Sequence, residues 1–240
     1  MKTKLLAVIW GAVLSSSLLV PDTLLAGASA NVAMTNDYRF RGISQNDKSF
    51  ALQGGFDYQD TSGFYAGVWS SSVDFQIQTV DDASTELDIY AGWGGEFKDS
   101  GLSWDIGFLH YNYPAADSSL RYNFTEVNST VSYQWLTVFY AHTNDYFAGS
   151  GTADYINISA GFELQDDWSV GVSLGHQAVE NNSAWGAPDW NDYKIYVAKS
   201  YEGFDFELAF IDTDLKNSEC FGGSDWCAGT VTLAISKSFE

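Results

Sequence analysis

The final segment of the chain, from Gly229 to Phe239, alternates apolar and small polar residues, and only Glu240 follows it. In an extended strand, Val231, Leu233 and Ile235 fall on one face, whereas the Thr and Ser side chains fall on the other. A strand of this kind that ends in an aromatic residue is typical of the last strand of a transmembrane β-barrel, which closes against the first strand. A secreted soluble β-sandwich or lectin is the alternative interpretation.

The same alternation recurs along the chain in about twelve segments of roughly ten residues each. The connections after even-numbered segments are short, about two to four residues, and those after odd-numbered segments are about seven to fifteen residues long. All long loops then lie at one end of the molecule, and both termini lie on the short-turn, periplasmic side. We therefore predict an all-β fold, a transmembrane up-and-down antiparallel β-barrel of about 12 strands.

Two of the predicted strands depart from simple alternation of apolar and polar residues. The first runs from Val32 to Arg41 and places Tyr38 and Phe40 outward, with the charged residues of this segment facing inward. The third begins at Phe64 and has two competing registers, one with Val68 outward and one with Trp69 outward; a β-bulge could reconcile them.

Residues 1–30 have the organisation of a secretory signal peptide. A basic start is followed by an apolar run from Leu5 to Val20 and by the small-residue site Ala28-Ser29-Ala30. The run is shorter than a spanning helix requires and breaks at Pro21-Asp22, which disfavours a retained anchor. We predict cleavage of 1–30, a single β-barrel domain over 31–240, and export to the bacterial outer membrane.

Aromatic residues make up 16% of the chain and concentrate near both ends of the predicted strands. This distribution predicts two aromatic belts at two membrane interfaces. The short-turn belt would contain Tyr58, Phe64, Trp93, Phe97, Trp104, Tyr133, Trp135, Trp168, Tyr201, Phe204 and Phe239. The long-loop belt would contain Phe40, Phe50, Tyr111, Tyr113, Phe124, Tyr146, Tyr155 and Tyr193.

The charge balance indicates which partners suit the chain. It has 31 Asp and Glu residues against 11 Lys and Arg residues, a formal net charge of -20. This acidity argues against nucleic acid and favours cations. The alternation also predicts a pore lining that contains Asp37, Arg39, Arg41, Asp57, Glu86, Asp88, Asp105, Glu126, Glu163, Lys194, Asp205 and Glu207.

An open lumen and a filled lumen are both compatible with these charges. Carboxylates in a water-filled lumen attract cations, whereas basic residues that bridge carboxylates across the lumen would make the barrel a plug. The small inward residues of the ninth predicted strand, such as Gly171 and Gly175, favour some open space.

Other candidate sites have less support. Cys220 and Cys227 are the only cysteines, and we expect a disulfide in an exported protein. His110, His142 and His176 follow the outward register; neighbours among them would lie roughly 10 Å apart, too far to share a metal ion, so interfacial contacts are favoured. The acidic loop residues Asp81, Asp82, Asp117, Asp145, Asp189, Asp214 and Asp225 lack the spacing of a calcium loop, which favours a solvated rim.

Several segments carry a resemblance to a known family. They are Thr35 to Gln45, Gly63 to Ser71 with Val73-Asp74-Phe75, Glu86 to Trp93, and the terminal Ser236-Lys237-Ser238-Phe239. Together they resemble the TorF-type porin family, bacterial outer-membrane proteins of unknown function, over nearly all of the predicted mature chain. The resemblance implies an outer-membrane barrel, and it implies no established substrate and no catalytic residues.

The sequence therefore predicts a narrow outer-membrane channel for passive, cation-preferring diffusion of small solutes. Its expected partners are outer-membrane lipids and lipopolysaccharide together with small solutes or cations, with no cofactor, no metal site and no enzymatic activity; the oligomeric state is open. The first alternative is a non-conducting barrel with a structural or ligand-binding role carried by its extracellular loops. An outer-membrane lipid enzyme and a soluble β-sandwich are weaker alternatives.

Overall fold

The computed structural model describes residues 27–75, 83–114 and 116–240. These residues form twelve strands that close into one barrel, with each strand paired antiparallel to its neighbours. The predicted β-barrel of about 12 strands is thus confirmed. Its strands are β1 (Gly27–Thr35), β4 (Ala51–Gln59), β5 (Phe64–Ser72), β6 (Thr85–Phe97), β7 (Leu102–Asn112), β8 (Phe124–Tyr133), β9 (Leu136–Thr143), β10 (Ala153–Glu163), β11 (Trp168–Val179), β12 (Trp190–Tyr201), β13 (Phe204–Thr213) and β14 (Thr230–Phe239).

The remaining elements are short and lie in the connections. A separate hairpin consists of β2 (Arg39–Phe40) and β3 (Ile43–Ser44). The helix α1 (Asn182–Trp185) and the 3-10 turns Ser118–Leu120, Phe147–Gly149 and Asn217–Glu219 all follow odd-numbered barrel strands in chain order. Within the described part of the chain, no helix is long and apolar enough to cross a bilayer.

The terminal strand closes the barrel as the alternation predicts. β14 pairs with β13 and also with β1, where Ala30 lies opposite Phe239. Val231 and Leu233 are about half exposed on the outer surface, whereas Thr232 between them is buried inside. β1 begins at Gly27, so residues 27–30 of the predicted signal peptide pair with β4; residues 1–26 lie outside the described residues.

The connections alternate in length, as predicted. The short turns join residues such as Gln59 to Phe64 and Tyr201 to Phe204, whereas long loops follow β1, β5, β7, β9, β11 and β13. At the first short turn, Gly63 has a positive φ of 90° and lies so close to Gly94 that a Cβ would collide with its carbonyl oxygen. The turn chemistry therefore requires glycine at this position.

The register of β5 is settled by continuous pairing with both neighbours. Residues Gln53 to Gln59 pair in step with Tyr65 to Ser71, without a bulge. Val68 is exposed on the outside and Trp69 is buried on the inside. The register with Val68 outward is therefore correct, and no bulge is needed to reconcile the two registers.

The first predicted strand is wrong in its second half. β1 ends at Thr35, and the chain then turns into the barrel instead of continuing along its wall to Arg41. Tyr38 and Phe40 are consequently buried, at 5% and 8% exposure, and do not face outward. The physical reason lies at Asn36. Its backbone N–H still donates to Leu233 O, but its side-chain amide donates to Val231 O and accepts from Leu233 N, which replaces the backbone bonds that would continue the ladder.

Only one of the two predicted aromatic belts forms. At the short-turn ends, Trp93, Trp135 and Tyr201 are half exposed on the outer surface. At the long-loop ends, only Phe50 and Tyr193 of the predicted set are exposed. The other members lie inside the barrel and its loops, each at most 8% exposed: Phe40, Tyr111, Tyr113, Phe124, Tyr146 and Tyr155.

Candidate functional site in the barrel lumen

The loop between β1 and β4 folds into the lumen as the hairpin β2–β3. Its two-residue turn has positive φ at both positions, 48° at Arg41 and 84° at Gly42, as a tight hairpin requires. A Cβ at Gly42 would lie 2.6 Å from Thr213 Cγ2 and 2.9 Å from Asp192 Cβ, so the turn is pressed against the wall. We call residues 36–50 the lumen hairpin.

Arg39 fixes the base of the lumen hairpin. Its guanidinium lies 2.7 Å from the Asp37 carboxylate and donates to the backbone carbonyls of Trp226 and Ala228 in the last long loop. Asp37 also accepts a hydrogen bond from Ser44 across the hairpin. Arg39 and Asp37 therefore lie inside the barrel, as predicted, but on an inserted loop that they hold together rather than on the wall.

Arg41 connects the tip of the lumen hairpin to two wall strands. Its guanidinium donates to both carboxylate oxygens of Glu126 on β8, at 2.8 and 2.7 Å, and to Gln177 Oε1 on β11 at 2.5 Å. It also lies over the ring of Tyr155, 4.2 Å from the centroid. Arg41 and Glu126 are each 2% exposed and Gln177 is fully buried. A bidentate ion pair removed from water in this way is a strong and specific tether.

Glu86 on β6 forms a second tether. Its two carboxylate oxygens accept hydrogen bonds from Tyr38 of the lumen hairpin at 2.9 Å and from Tyr113 at 2.8 Å. The Trp190 indole on β12 donates to the backbone carbonyl of Arg41 at 2.9 Å. The lumen hairpin is therefore bonded to β6, β8, β11 and β12. We call this set of contacts the closed layer.

Asp88 is a wall carboxylate beside the closed layer, and it has no hydrogen-bond partner among the described residues. It is fully buried, and neither of its oxygens has a hydrogen bond. It lies two residues from Glu86 on the same face of β6. A buried carboxylate without hydrogen bonds is costly in free energy, so this position reduces stability in the middle of the lumen.

The lumen on the short-turn side of the closed layer is acidic and wetter. Tyr65 donates to Asp105 at 2.9 Å, Tyr90 donates to Asp57, and Lys194 pairs with Glu207 at 2.8 Å. These carboxylates are half-buried, and the predicted lumen residues Glu163 and Asp205 are exposed. All nine predicted wall residues occupy inward positions of their strands: Asp57, Glu86, Asp88, Asp105, Glu126, Glu163, Lys194, Asp205 and Glu207.

The small residues of β11 do not open the lumen as expected. A Cβ at Gly171 would lie 2.4 Å from the ring of Tyr196, and one at Gly175 would lie 2.2 Å from the Tyr155 hydroxyl. These glycines leave room for Tyr196, Tyr155 and Asp192 of the neighbouring strands, not for solvent. Strand alternation alone does not show what fills the space above a glycine.

The three histidines lie on the outer face and each contacts the next strand. His110 is 2.8 Å from Thr125 Oγ1 and His176 is 3.0 Å from Asn191 Oδ1. His142 lies 2.9 Å from Asp154, a partner that the sequence analysis missed because it follows the outward register of β10. Among the described residues, no group of three or more His, Cys, Asp or Glu is placed to hold a metal ion.

The acidic loop residues are mostly bonded to the chain itself. Asp145 pairs with Arg121 at 2.6 Å, Asp225 pairs with Lys48 at 2.7 Å, and Asp214 accepts from Asn191. Asp117 and Asp189 accept from backbone amides, and Asp81 and Asp82 lie outside the described residues. Cys220 and Cys227 form a disulfide in the same loop as Asp225. The described members of this set are all exposed to solvent, so they form the expected acidic rim and also shape the loops.

The barrel is similar to those of solved porins. The KdgM porin aligns with a TM-score of 0.54 at 10% identity, covering 88% of this chain and 99% of its own. The NanC porin aligns with a TM-score of 0.56 at 8% identity, covering 89% of this chain and 100% of its own. A second KdgM structure, in complex with disordered oligogalacturonate, gives 0.52 at 10% identity, covering 89% and 100%. At these identities the likeness shows the fold alone.

Sequence comparison gives the family. No curated protein matches the chain. A family model described as "Bacterial protein of unknown function (Gcw_chp)" matches residues 25–239, which include every strand of the barrel. The expected membership in a bacterial family of unknown function is confirmed, while the TorF-type name stays a prediction. The chain therefore belongs to the Gcw_chp family of bacterial proteins of unknown function.

Proposed function

We propose that this protein is an outer-membrane, porin-like channel that admits small cations and is closed at rest by its lumen hairpin. The observation that supports this most is the charge of the lumen on the short-turn side. Five predicted lumen carboxylates, Asp57, Asp105, Glu163, Asp205 and Glu207, face one lysine, Lys194. Fixed negative charge along a narrow path attracts cations and excludes anions.

The outer surface supports location in a bilayer. Apolar side chains such as Leu52, Ile106 and Leu174 are half exposed or more on the outside of the barrel, where water would not favour them. In an outer membrane these positions would contact lipid, and the aromatic belt at the short-turn ends would lie at one interface. The short-turn end and both termini would face the periplasm.

Conduction requires movement of the lumen hairpin. Its tip is tied to the wall by side chains, through Arg41 and Tyr38, and its own backbone ladder is only two residues long on each strand. These side-chain hydrogen bonds can break while the backbone hydrogen bonds of the barrel wall stay intact, because the wall strands pair with one another independently of the lumen hairpin. The lumen hairpin is therefore the gate of the proposed channel.

The ligand of the KdgM complex does not suit this lumen. Oligogalacturonate carries many carboxylates, and the inward carboxylates of this chain have the same sign of charge. We therefore do not extend that ligand to this protein.

A non-conducting barrel is the second candidate function, and the closed layer favours it. Arg41, Glu126, Gln177 and Trp190 are each at most 2% exposed, so this part of the lumen is dry. In that case the barrel would be a scaffold for its long loops. This candidate shares the fold and the location with the first and differs in whether ions pass.

The test is the current through the refolded protein in a planar bilayer, with the reversal potential measured under a KCl gradient. We expect gated openings with a cation-selective reversal potential. The double variant Glu163→Gln/Asp205→Asn should shift the reversal potential towards zero, because both side chains are exposed in the lumen. The matched control is Glu202→Gln, in the turn between β12 and β13, which should leave it unchanged.

Anion selectivity, or a reversal potential that the double variant does not move, would refute the cation preference. Absence of current from protein shown to be inserted would refute the channel and favour the non-conducting barrel.

A further inference from the structure

A cavity of about 520 Å³ lies among the long loops, on the side of Phe40 and Ile43 of the lumen hairpin. It is lined mainly by aromatic rings, and each of the six long connections contributes at least one of them. The six loops connect different pairs of strands and differ in length, yet each of them places an aromatic side chain at this cavity. The six are represented by Phe40, Phe75, Tyr113, Phe147, Trp185 and Phe221.

The rings are ordered by contacts with one another. Phe147 stacks on Tyr122 with the centroids 4.1 Å apart and meets Trp185 edge-on at 5.7 Å. Trp185 also meets Phe221 edge-on at 5.0 Å. Phe147, Trp185 and Phe221 are only partly buried, because one side of each ring faces the cavity. The cavity thus presents ring faces and edges, which are the contacts that aromatic groups favour.

Most polar side chains of the cavity wall are already engaged within the chain, whereas the Trp185 indole N–H is a buried donor without a hydrogen-bond partner among the described residues. Ser44 donates to Asp37, the amide of Gln45 donates to Ile43 O, and Ser224 donates to Cys220 O. The Tyr113 hydroxyl donates to Glu86. A sugar would bury many hydroxyl groups here without enough partners, which disfavours it.

Charge narrows the ligand class further. Among the described residues, no Asp, Glu, Lys or Arg lines the cavity, so a charged ligand would lose its hydration there without gaining a counter-charge. The chain as a whole has a net charge of -20, which adds repulsion against anions. The volume falls in the range of ordinary small-molecule sites.

From this geometry we infer that the cavity is a binding site for a small, uncharged molecule that contains aromatic rings. The site goes beyond the proposed channel, because binding needs no current and no opening of the closed layer. Phe40 belongs to both, since it lines the cavity and contacts Tyr111 edge-on at 5.8 Å beneath it. A bound ligand therefore rests on the closed lumen hairpin.

The test is equilibrium dialysis of 2-naphthol, which is uncharged at neutral pH, against the full-length mature barrel in lipid nanodiscs. Empty nanodiscs measure partition into lipid. We expect one saturable site per barrel above that partition. Ser224→Trp, which places a ring in the cavity, should raise the Kd at least tenfold. The control Trp135→Ala, on the outer surface away from the loops, should leave the Kd within twofold.

A second variant tests the same site if Ser224→Trp does not fold. Phe221→Ala removes one ring from the cavity and should weaken binding several-fold, with barrel folding checked by heat-modifiable migration on a gel. Competition by glucose or by 1-octanol with the potency of 2-naphthol would overturn the ligand class. Uptake no greater than that of empty nanodiscs, or saturable binding unaffected by Ser224→Trp and Phe221→Ala, would overturn the site.

Discussion

The Arg41 tether makes the sharpest energetic prediction. Replacing Arg41 with Met removes the bidentate pair to Glu126 and the hydrogen bond to Gln177, and leaves a carboxylate that is 2% exposed without its partner. Breaking one side of a buried ion pair costs about 3–5 kcal/mol, because the remaining charge stays desolvated. Loss of the guanidinium from the ring of Tyr155, 4.2 Å away, adds about 1 kcal/mol. We therefore expect Arg41→Met to lower the free energy of unfolding by about 4–6 kcal/mol.

The assay is urea unfolding of the barrel refolded in lipid vesicles, followed by tryptophan fluorescence. Glu126→Gln provides the second corner of a double-mutant cycle, because it removes the charge and keeps the shape. The double variant Arg41→Met/Glu126→Gln should regain part of the loss, since no uncompensated carboxylate is left. Additive effects in the double variant, or a loss under about 1 kcal/mol in Arg41→Met, would refute the tether.

Three further predictions concern Asp88, the Cys220–Cys227 disulfide and the pair of Lys48 with Asp225. Asp88→Leu should raise the free energy of unfolding by about 1–3 kcal/mol, because it replaces a buried carboxyl group that has no hydrogen bond with an apolar side chain of similar size; a lower urea midpoint would contradict this. Cys220→Ser/Cys227→Ser should lower the same quantity by about 2 kcal/mol, as expected for a short loop, and reduction of the native barrel should give the same midpoint as the variant. The bond from Lys48 lowers the pKa of Asp225 from its ordinary 3.8. Its stabilisation is therefore complete above about pH 4 and is lost as the pH falls through the lowered pKa, so wild type and Asp225→Asn should converge in acid; a gap that widens in acid would contradict the assignment.

The wall of the barrel could be predicted from the sequence because each strand has a period of two residues. Once Val231 and Leu233 are placed outside, the parity of every paired strand follows from the ladder. The wall carboxylates were found in this way, including Glu86 and Glu126. The alternation of short and long connections followed from the same segments.

The lumen hairpin could not be predicted by that reasoning. The segment from Val32 to Arg41 keeps enough alternation to imitate a wall strand, and the decisive residue, Asn36, acts through its side-chain amide. Arg41 and Gly42 with positive φ form the turn, yet the pair lacks the Asn-Gly or Asp-Gly signature of such hairpins. The signal that was available is the concentration of charge in Asp37, Arg39 and Arg41 within one predicted strand.

The prediction of a long-loop aromatic belt is wrong for a different reason. Tyr111 and Tyr155 have inward parity in the predicted strands, and only their position near the strand ends predicts a membrane interface for them. Parity was the better guide, and it places both rings inside the barrel at 2% and 1% exposure. The aromatic cavity of the loops depends on contacts between distant connections, such as Trp185 with Phe221, and no local pattern encodes them.

Single-channel current would show whether the lumen hairpin closes an acidic barrel. We would compare the mature protein with a variant in which residues 38–48 are replaced by a short Gly-Ser linker. We expect the variant to conduct continuously, with a cation-selective reversal potential, and the wild type to be closed for most of the recording. Equal conductance in the two proteins, or an anion-selective variant, would contradict it.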